Sequence, residues 1–214
     1  MRISRVWITG SSGVGKSTLA RQIAAGWGLP HLELDSLFHG PNWAQAEPAE
    51  FRAAVQREID RSAWVVDGNY SVLGAMIPDR AELRIALDLP TSVTMARLVR
   101  RTARRIVTRE VLWNGNQEQL GNLLRWDPDR NLIRWAWQRR YRYHQGAVDA
   151  ENSWRAGGLP CVRLSSPGQV RRFVDYLRSR IGQPTGADLR TIRISRIPSE
   201  SVRSAPSGMK PWLT

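Results

Sequence analysis

Lysine is nearly missing from this sequence: Lys16 and Lys210 are the only two, against thirty arginines. Cysteine is scarcer still. Cys161 alone excludes an intramolecular disulfide and any cysteine-based zinc site, and it agrees with a reducing compartment. No apolar run approaches the ~18 residues that a membrane span requires, so no membrane partner is expected. The apolar stretch behind Arg2 and Arg5 breaks at once into glycines and Lys16 and is no secretory h-region, which makes the cytoplasm the expected location. His31, His39 and His144 lack metal-ligand spacing. No internal repeat is visible, and no helix-turn-helix, zinc-finger or RNA-recognition signature accompanies the positive charge.

That charge is +13 over 214 residues, and it is local. Residues 1–96 are close to neutral, whereas residues 97–142 carry twelve arginines against four acids. With 42% hydrophobic and 24% charged residues the composition is globular, and the length fits one domain of ordinary size. We expect that domain to span residues 1–181. Residues 182–214, with their prolines, glycines and serines, read as a disordered tail.

Arg5 to Thr9 reads as a buried strand and Ser17 to Trp27 as a helix with Leu19, Ile23 and Trp27 on one face. His31 to Asp35 alternates like a second strand. Phe51, Val55 and Ile59 mark a helix from Pro48 to Ser62, Ala63 to Asp67 is a third strand and Leu83 to Leu89 a fourth. Ser92 to Val107 predicts a helix whose apolar stripe is Met95, Val99 and Ile106. Between Thr108 and Trp126 periodicity fails, and Asn114-Gly115-Asn116 and Gly121-Asn122 signal turns, an excursion of about residues 108–126. Asp127-Pro128 then caps a long helix, Cys161 to Leu164 is a fifth strand, and Ser166-Pro167 opens a last helix with Val170, Phe173, Val174, Leu177 and Ile181 inward. Strands alternating with helices predict an α/β fold, a parallel sheet with helices on both faces.

Gly10-Ser11-Ser12-Gly13-Val14-Gly15-Lys16-Ser17 satisfies G-x-x-x-x-G-K-[ST] between a predicted strand and a predicted helix, the context that makes the pattern a phosphate site. Backbone N–H groups of such a loop cradle phosphates, Lys16 reaches the β and γ phosphates, Ser17 can ligate Mg²⁺, and Thr18 is placed for the α-phosphate. The expected ligand is ATP with Mg²⁺. Asp67, ending a strand, is a second candidate for the metal, or only a strand cap. Asp35 is a candidate to orient or deprotonate an acceptor hydroxyl, or an N-cap for Ser36-Leu37-Phe38. Arg97, Arg101 and Arg105 recur at four-residue spacing. They suit either a closing lid that stabilises a transferring phosphoryl group or a solvated face, including one lying on nucleic acid. The tryptophans around this segment, Trp126, Trp135 and Trp137, read as packing groups.

Five runs, "GSSGVGKSTLARQIA", "HLELDSLF" followed by "PNW", "WVVDGNY", "LRIALDLP" and "RLVRRTARR", together resemble the small P-loop kinase-like proteins called DNA topology modulation (FlaR-like) proteins, relatives of adenylate and shikimate kinases. The resemblance runs from about Val6 to Leu177. It implies a P-loop NTPase fold of the nucleoside-monophosphate-kinase type, strand order 2-3-1-4-5, with a mobile lid after Arg105. It also implies an acceptor site near Asp35 and Asp67, and adenine between a lid-proximal arginine and Ser165-Ser166-Pro167-Gly168. The adenylate kinase run Asp-Gly-Phe-Pro-Arg stands here as Asp67-Gly68-Asn69-Tyr70-Ser71, without the arginine that grips a monophosphate, so AMP is not implied as acceptor. The expected activity is phosphoryl transfer from ATP to a small-molecule acceptor, with Lys16, Asp35, Arg101 and Arg105 catalytic and Ser17 and Asp67 at the metal. The competing expectation is a nucleic-acid-associated ATPase or regulator; a non-catalytic nucleotide sensor is weakened by the intact Lys16, Ser17 and Asp67. Nucleic-acid binding is expected to be weak, and the chain to be a monomer or homodimer.

Overall fold

The computed structural model describes residues 3–123 and 131–179. The expectations for Trp126, Asp127, Pro128, Ile181 and the tail fall outside those residues. Five strands, β1 (Arg5–Gly10), β2 (His31–Glu33), β3 (Trp64–Asp67), β4 (Leu83–Leu87) and β5 (Cys161–Leu164), form one sheet in the order 2-3-1-4-5. Every pairing is parallel. The helices are α1 (Lys16–Trp27), α2 (Leu34–Phe38), α3 (Pro48–Ile59), α4 (Thr91–Thr108), the single turn α5 (Leu120–Leu123), α6 (Leu132–Arg155) and α7 (Pro167–Ser179). Among the described residues no helix is long and apolar enough to cross a membrane.

Side chains that alternate along the strands feed two cores. On one face Val6, Ile8, Val65 and Ile85 meet Leu19 and Ile23 of α1 and Phe173, Val174 and Leu177 of α7. On the other, Trp64 and Val66 meet Phe51, Val55 and Ile59 of α3. Ala147 and Ala150 of α6 lie on Ala86 and Cys161 there. Methyl groups at these positions let the helix lie close to the strands. Cys161 is shut beneath it, and burial pushes its thiol pKa up to about 11 against the opposing charge of Arg84.

Two local expectations are corrected. β2 ends at Glu33, and Asp35 lies inside the first turn of α2 instead of closing a strand. The buried side of α4 is Thr94, Leu98 and Thr102, while Val99 is 46% exposed. The reason is that α4 lies across the phosphate loop: a Cβ on Gly13 would stand 2.9 Å from the Thr94 carbonyl and 2.8 Å from Leu98 Cβ. A helix facing a phosphate site carries arginine where an ordinary amphipathic helix carries apolar groups. Helix α6 is capped by Asn131, whose side chain accepts from the Ile133 and Arg134 N–H groups at 3.1 and 3.2 Å.

The start of the sheet is pinned by Glu82, which accepts from the Ser4 and Arg5 backbone N–H groups and pairs with the Arg5 guanidinium at 3.0 Å. Burial raises the Glu82 pKa, but these donors outweigh it and hold the group below its ordinary value of 4.5. A carboxylate with a depressed folded-state pKa adds stability above its unfolded value and loses it as pH falls through the folded value. Glu82→Gln should therefore cost about 1–2 kcal/mol at neutral pH in denaturant titrations. The difference from the parent should shrink as the pH is taken below 4.5.

Candidate active site

Parallel strands place the carboxyl ends of β1, β2 and β3 side by side, where ligands of open α/β sheets bind. Register sets Glu33 of β2 opposite Asp67 of β3, and Asp67 opposite Ile8 of β1, immediately before the loop. The Ser17 hydroxyl, in the first turn of α1, donates to Glu33 Oε1 at 2.7 Å and lies 3.4 Å from Asp67 Oδ1. Asp67 is 3% exposed, and its other oxygen meets His31 Nε2 at 2.8 Å. Lys16 donates to the Ser11 carbonyl at 3.2 Å. Burial lowers the Lys16 pKa and Arg101 adds to the effect, with Asp35, Asp67 and Glu33 opposing. The Lys16 side chain is half-buried among three acids.

The loop residues Gly10, Ser11, Ser12, Gly13, Val14 and Gly15 wrap the start of α1, and Thr18 is exposed one residue past Ser17. Arg97 reaches the loop and donates to the Val14 carbonyl at 3.2 Å. Arg101 is half-buried near Arg105, Glu118, Asp35 and Glu33, and its buried Nε makes no hydrogen bond among the described residues. Arg105 pairs with Glu118 at 2.9 Å and Glu110 at 3.3 Å, so it ties α4 to the segment that follows it. Pro167 opens α7 behind Ser166, whose hydroxyl accepts from Gln169 N at 3.2 Å. A cavity of about 310 Å³ abuts the loop at Ser11 and Ser12, and its lining includes Asp88, His144 and Arg163 but none of Glu33, Asp35 or Asp67.

Each residue of Asp67-Gly68-Asn69-Tyr70 has a separate task. Gly68 takes φ 134° with Leu34 packed against it, so a Cβ there would lie 2.9 Å from Leu34 Cβ. Asn69 makes a reciprocal pair with the Gly10 backbone, accepting from its N–H at 3.1 Å and donating to its carbonyl at 2.7 Å. The phosphate loop is therefore anchored to the end of β3 by a side chain. Tyr70 donates to Asp35 Oδ1 at 2.6 Å, and burial together with that carboxylate raises its phenol pKa. Tyr70 thereby orients one oxygen of Asp35.

Of the residues singled out by sequence, the structure brings together Lys16, Ser17, Asp35, Asp67 and Arg101. Glu33, His31, Asn69, Tyr70 and Trp113 were missed. Trp113, from the segment after α4, donates its indole N–H to Glu33 Oε2 at 3.1 Å. The only sequence hint to Glu33 was its place two residues before Asp35, and nothing in the pattern pointed to Trp113. The histidines carry no metal spacing, but His31 orients an acid, a role that needs only one partner. Trp137, expected to pack, is half exposed under the Arg140 guanidinium, while Trp135 lies 6.1 Å from Tyr143.

The five-stranded order and the phosphate loop define a P-loop fold of the kinase type. No family model matches the sequence, and a search of curated proteins returns no match. Among solved structures the chain is similar to shikimate kinase from Bacteroides thetaiotaomicron, with 16% identity, 83% of this chain and 97% of that one covered, and a TM-score of 0.47. It is also similar to shikimate kinase from Acinetobacter baumannii in complex with shikimate, with 15% identity, 92% and 96% covered, and a TM-score of 0.47.

Asn69→Ala removes two hydrogen bonds at once and leaves the Gly10 backbone without them. The expected loss is about 1–3 kcal/mol in chemical denaturation, with Asn69→Asp recovering only the accepting half.

Proposed function

We propose that the protein is an ATP-dependent phosphotransferase acting on the hydroxyl of a small molecule. The observation that supports this best is the Ser17 hydroxyl held between Glu33 and Asp67, with Lys16 and Arg101 beside the same acids. Hard oxygen donors suit Mg²⁺, which binds through one or two carboxylates and completes its shell with phosphates and water. Among the described residues no cluster of three or more His, Cys, Asp or Glu could hold a metal alone, in keeping with an ion that arrives with its nucleotide. Ser17 and Asp67 would hold it, assisted by Glu33, and it would neutralise charge on the β and γ phosphates.

Asp35 takes the proton of the acceptor hydroxyl through the oxygen that Tyr70 does not bond. The acceptor oxygen bonds to the γ-phosphorus as the bond to the bridging oxygen breaks, and ADP leaves. Lys16 and Arg101 stabilise the charge on the transferring group. Arg105 supports Arg101 through its pairs with Glu110 and Glu118. Adenine would lie near Pro167 and Arg97. Residues 1–181 would form the kinase domain, with the family of FlaR-like kinase relatives as its place, cytoplasmic and monomeric or dimeric.

Nucleic-acid association is the secondary reading, favoured by the exposed Arg100 and Arg104 on the outer side of α4. Arg101 and Arg105, however, turn inward. Binding to duplex DNA should therefore be weak and salt-sensitive, each neutralised phosphate adding about −0.9 to the slope of log K against log salt. Tight binding at physiological salt that survives removal of residues 182–214 would favour the secondary reading.

Lys16→Ala should abolish or severely weaken ATP–Mg²⁺ binding in calorimetry while the domain still folds cooperatively; undiminished affinity would remove the loop from the mechanism. The acids divide by role. Asp67→Asn and Glu33→Gln should raise the Mg²⁺ requirement, whereas Asp35→Asn should leave ATP affinity intact and lower transfer by about 10²-fold or more. Transfer is measured with γ-labelled ATP across hydroxylated metabolites, nucleosides and nucleotides, with hydrolysis as control. Identical Mg²⁺ titrations for all three variants would overturn these assignments.

A further inference from the structure

Residues 39–45, His39-Gly40-Pro41-Asn42-Trp43-Ala44-Gln45, and residues 111–117, Val111-Leu112-Trp113-Asn114-Gly115-Asn116-Gln117, form the same small structure twice. Each is closed by an antiparallel bridge, His39 to Gln45 and Val111 to Gln117. A backbone bond of 2.7 Å spans each base, from Gly40 N to Ala44 O and from Leu112 N to Asn116 O. Both turn through two successive residues of positive φ, Asn42 (57°) and Trp43 (61°) in one, Asn114 (55°) and Gly115 (79°) in the other. Such pairs define the type I′ turn, for which Asn-Gly is the favoured sequence. Trp43 is a bulky residue in a conformation that side chains disfavour, so its surroundings must hold it there.

What holds it is the other turn. Trp43 N donates to Asn116 Oδ1 at 2.8 Å, and its indole N–H to the Gln117 carbonyl at 3.2 Å. Asn116 is 4% exposed and uses its amide as fully as its acceptor, donating to the Gly40 and Trp113 carbonyls, each at 2.9 Å. Asn114 adds donations to the Ser36 and His39 carbonyls. Trp113 lies stacked 6.2 Å from His39, and from there its indole reaches Glu33. The first turn follows directly on α2, which carries Asp35.

We propose that the two turns form an interlock, with Asn116 as its positioning residue, through which the acceptor-side segment carries the lid segment. Trp113 can meet Glu33 only while the turns are joined. The arrangement of the segment around Asp35 thereby reaches the carboxylate beside Ser17, and neither segment moves without the other. On the kinase reading, on which only this last step rests, an acceptor that orders residues 34–45 shuts the lid over the phosphates, and transfer is favoured over hydrolysis.

Hydrogen exchange of the full chain, without nucleotide, tests the interlock. In Asn116→Ala, amides in 39–45 and in 111–117 should both exchange about tenfold faster or more, while those of β1 and α1 keep the parent rates. Acceleration confined to 111–117, or no change in either segment, overturns the proposal. Should Asn116→Ala unfold globally, Trp43→Phe decides, since it removes the indole bond to Gln117 while keeping an aromatic ring beside His39 and the backbone bond to Asn116: both segments must again respond together, and a response in one alone overturns it. In phosphoryl-transfer assays, Asn116→Ala should raise the ratio of hydrolysis to transfer with ATP affinity unchanged. A parent chain that transfers to no acceptor defeats the kinase reading and leaves the exchange result to judge the interlock.

Discussion

Burying one carboxylate shapes the functional edge of this protein. Asp67 is closed off from water at the end of β3, and a charged group there is tolerated only with partners on every side. His31 supplies one from β2, Ser17 another from α1, and the strand register places Glu33 alongside. Satisfying Asp67 thus fixes how the second strand and the first helix stand relative to the loop between them. The arrangement is electrostatically unfinished: three acids face one lysine and one arginine, a balance that the cations and anions of a metal–nucleotide complex would alter together.

The loop is held at both ends by means that the backbone alone does not provide. Its entry at Gly10 is paired with the Asn69 side chain, which extends the β1–β3 ladder by one rung where the chain of β3 has already turned away. Its middle lies under α4, at a distance that only glycine at position 13 permits. The site is therefore preorganised by side-chain amides and by close packing, the conditions under which fixed charges and dipoles act most strongly on a reacting group.

Sequence patterns revealed the sheet well because parallel strands buried on both faces read as short apolar runs, as in "WVV" and "CVRL". They misplaced what depends on three dimensions. Asp35 alternates with Leu32 and Leu34 like a strand residue, but the strand ends two residues earlier, at Glu33, and Leu34, packed against Gly68, already opens α2. The stripe of α4 was read one position out, since its partner is a polar loop and not a core. Lys16 and Ser17 were legible from the motif and Asp67 from its strand end, whereas Asp35 was found from a strand drawn two residues too long. Glu33, Asn69 and Trp113 were not legible, because their partners lie between 16 and 80 residues away and no periodicity links them.

Cys161 gives the molecule an unusual chemical silence. The chain has a single thiol, and it lies beneath α6 with a pKa about four orders of magnitude in proton concentration above neutrality, at about 11. Very little thiolate is present under ordinary conditions, and what forms is covered by the helix. A cysteine introduced on either turn or along α4 would be the sole nucleophilic sulfur open to a spin label or fluorophore, so the natural chain already serves as the blank for reporting how far apart the two segments stand.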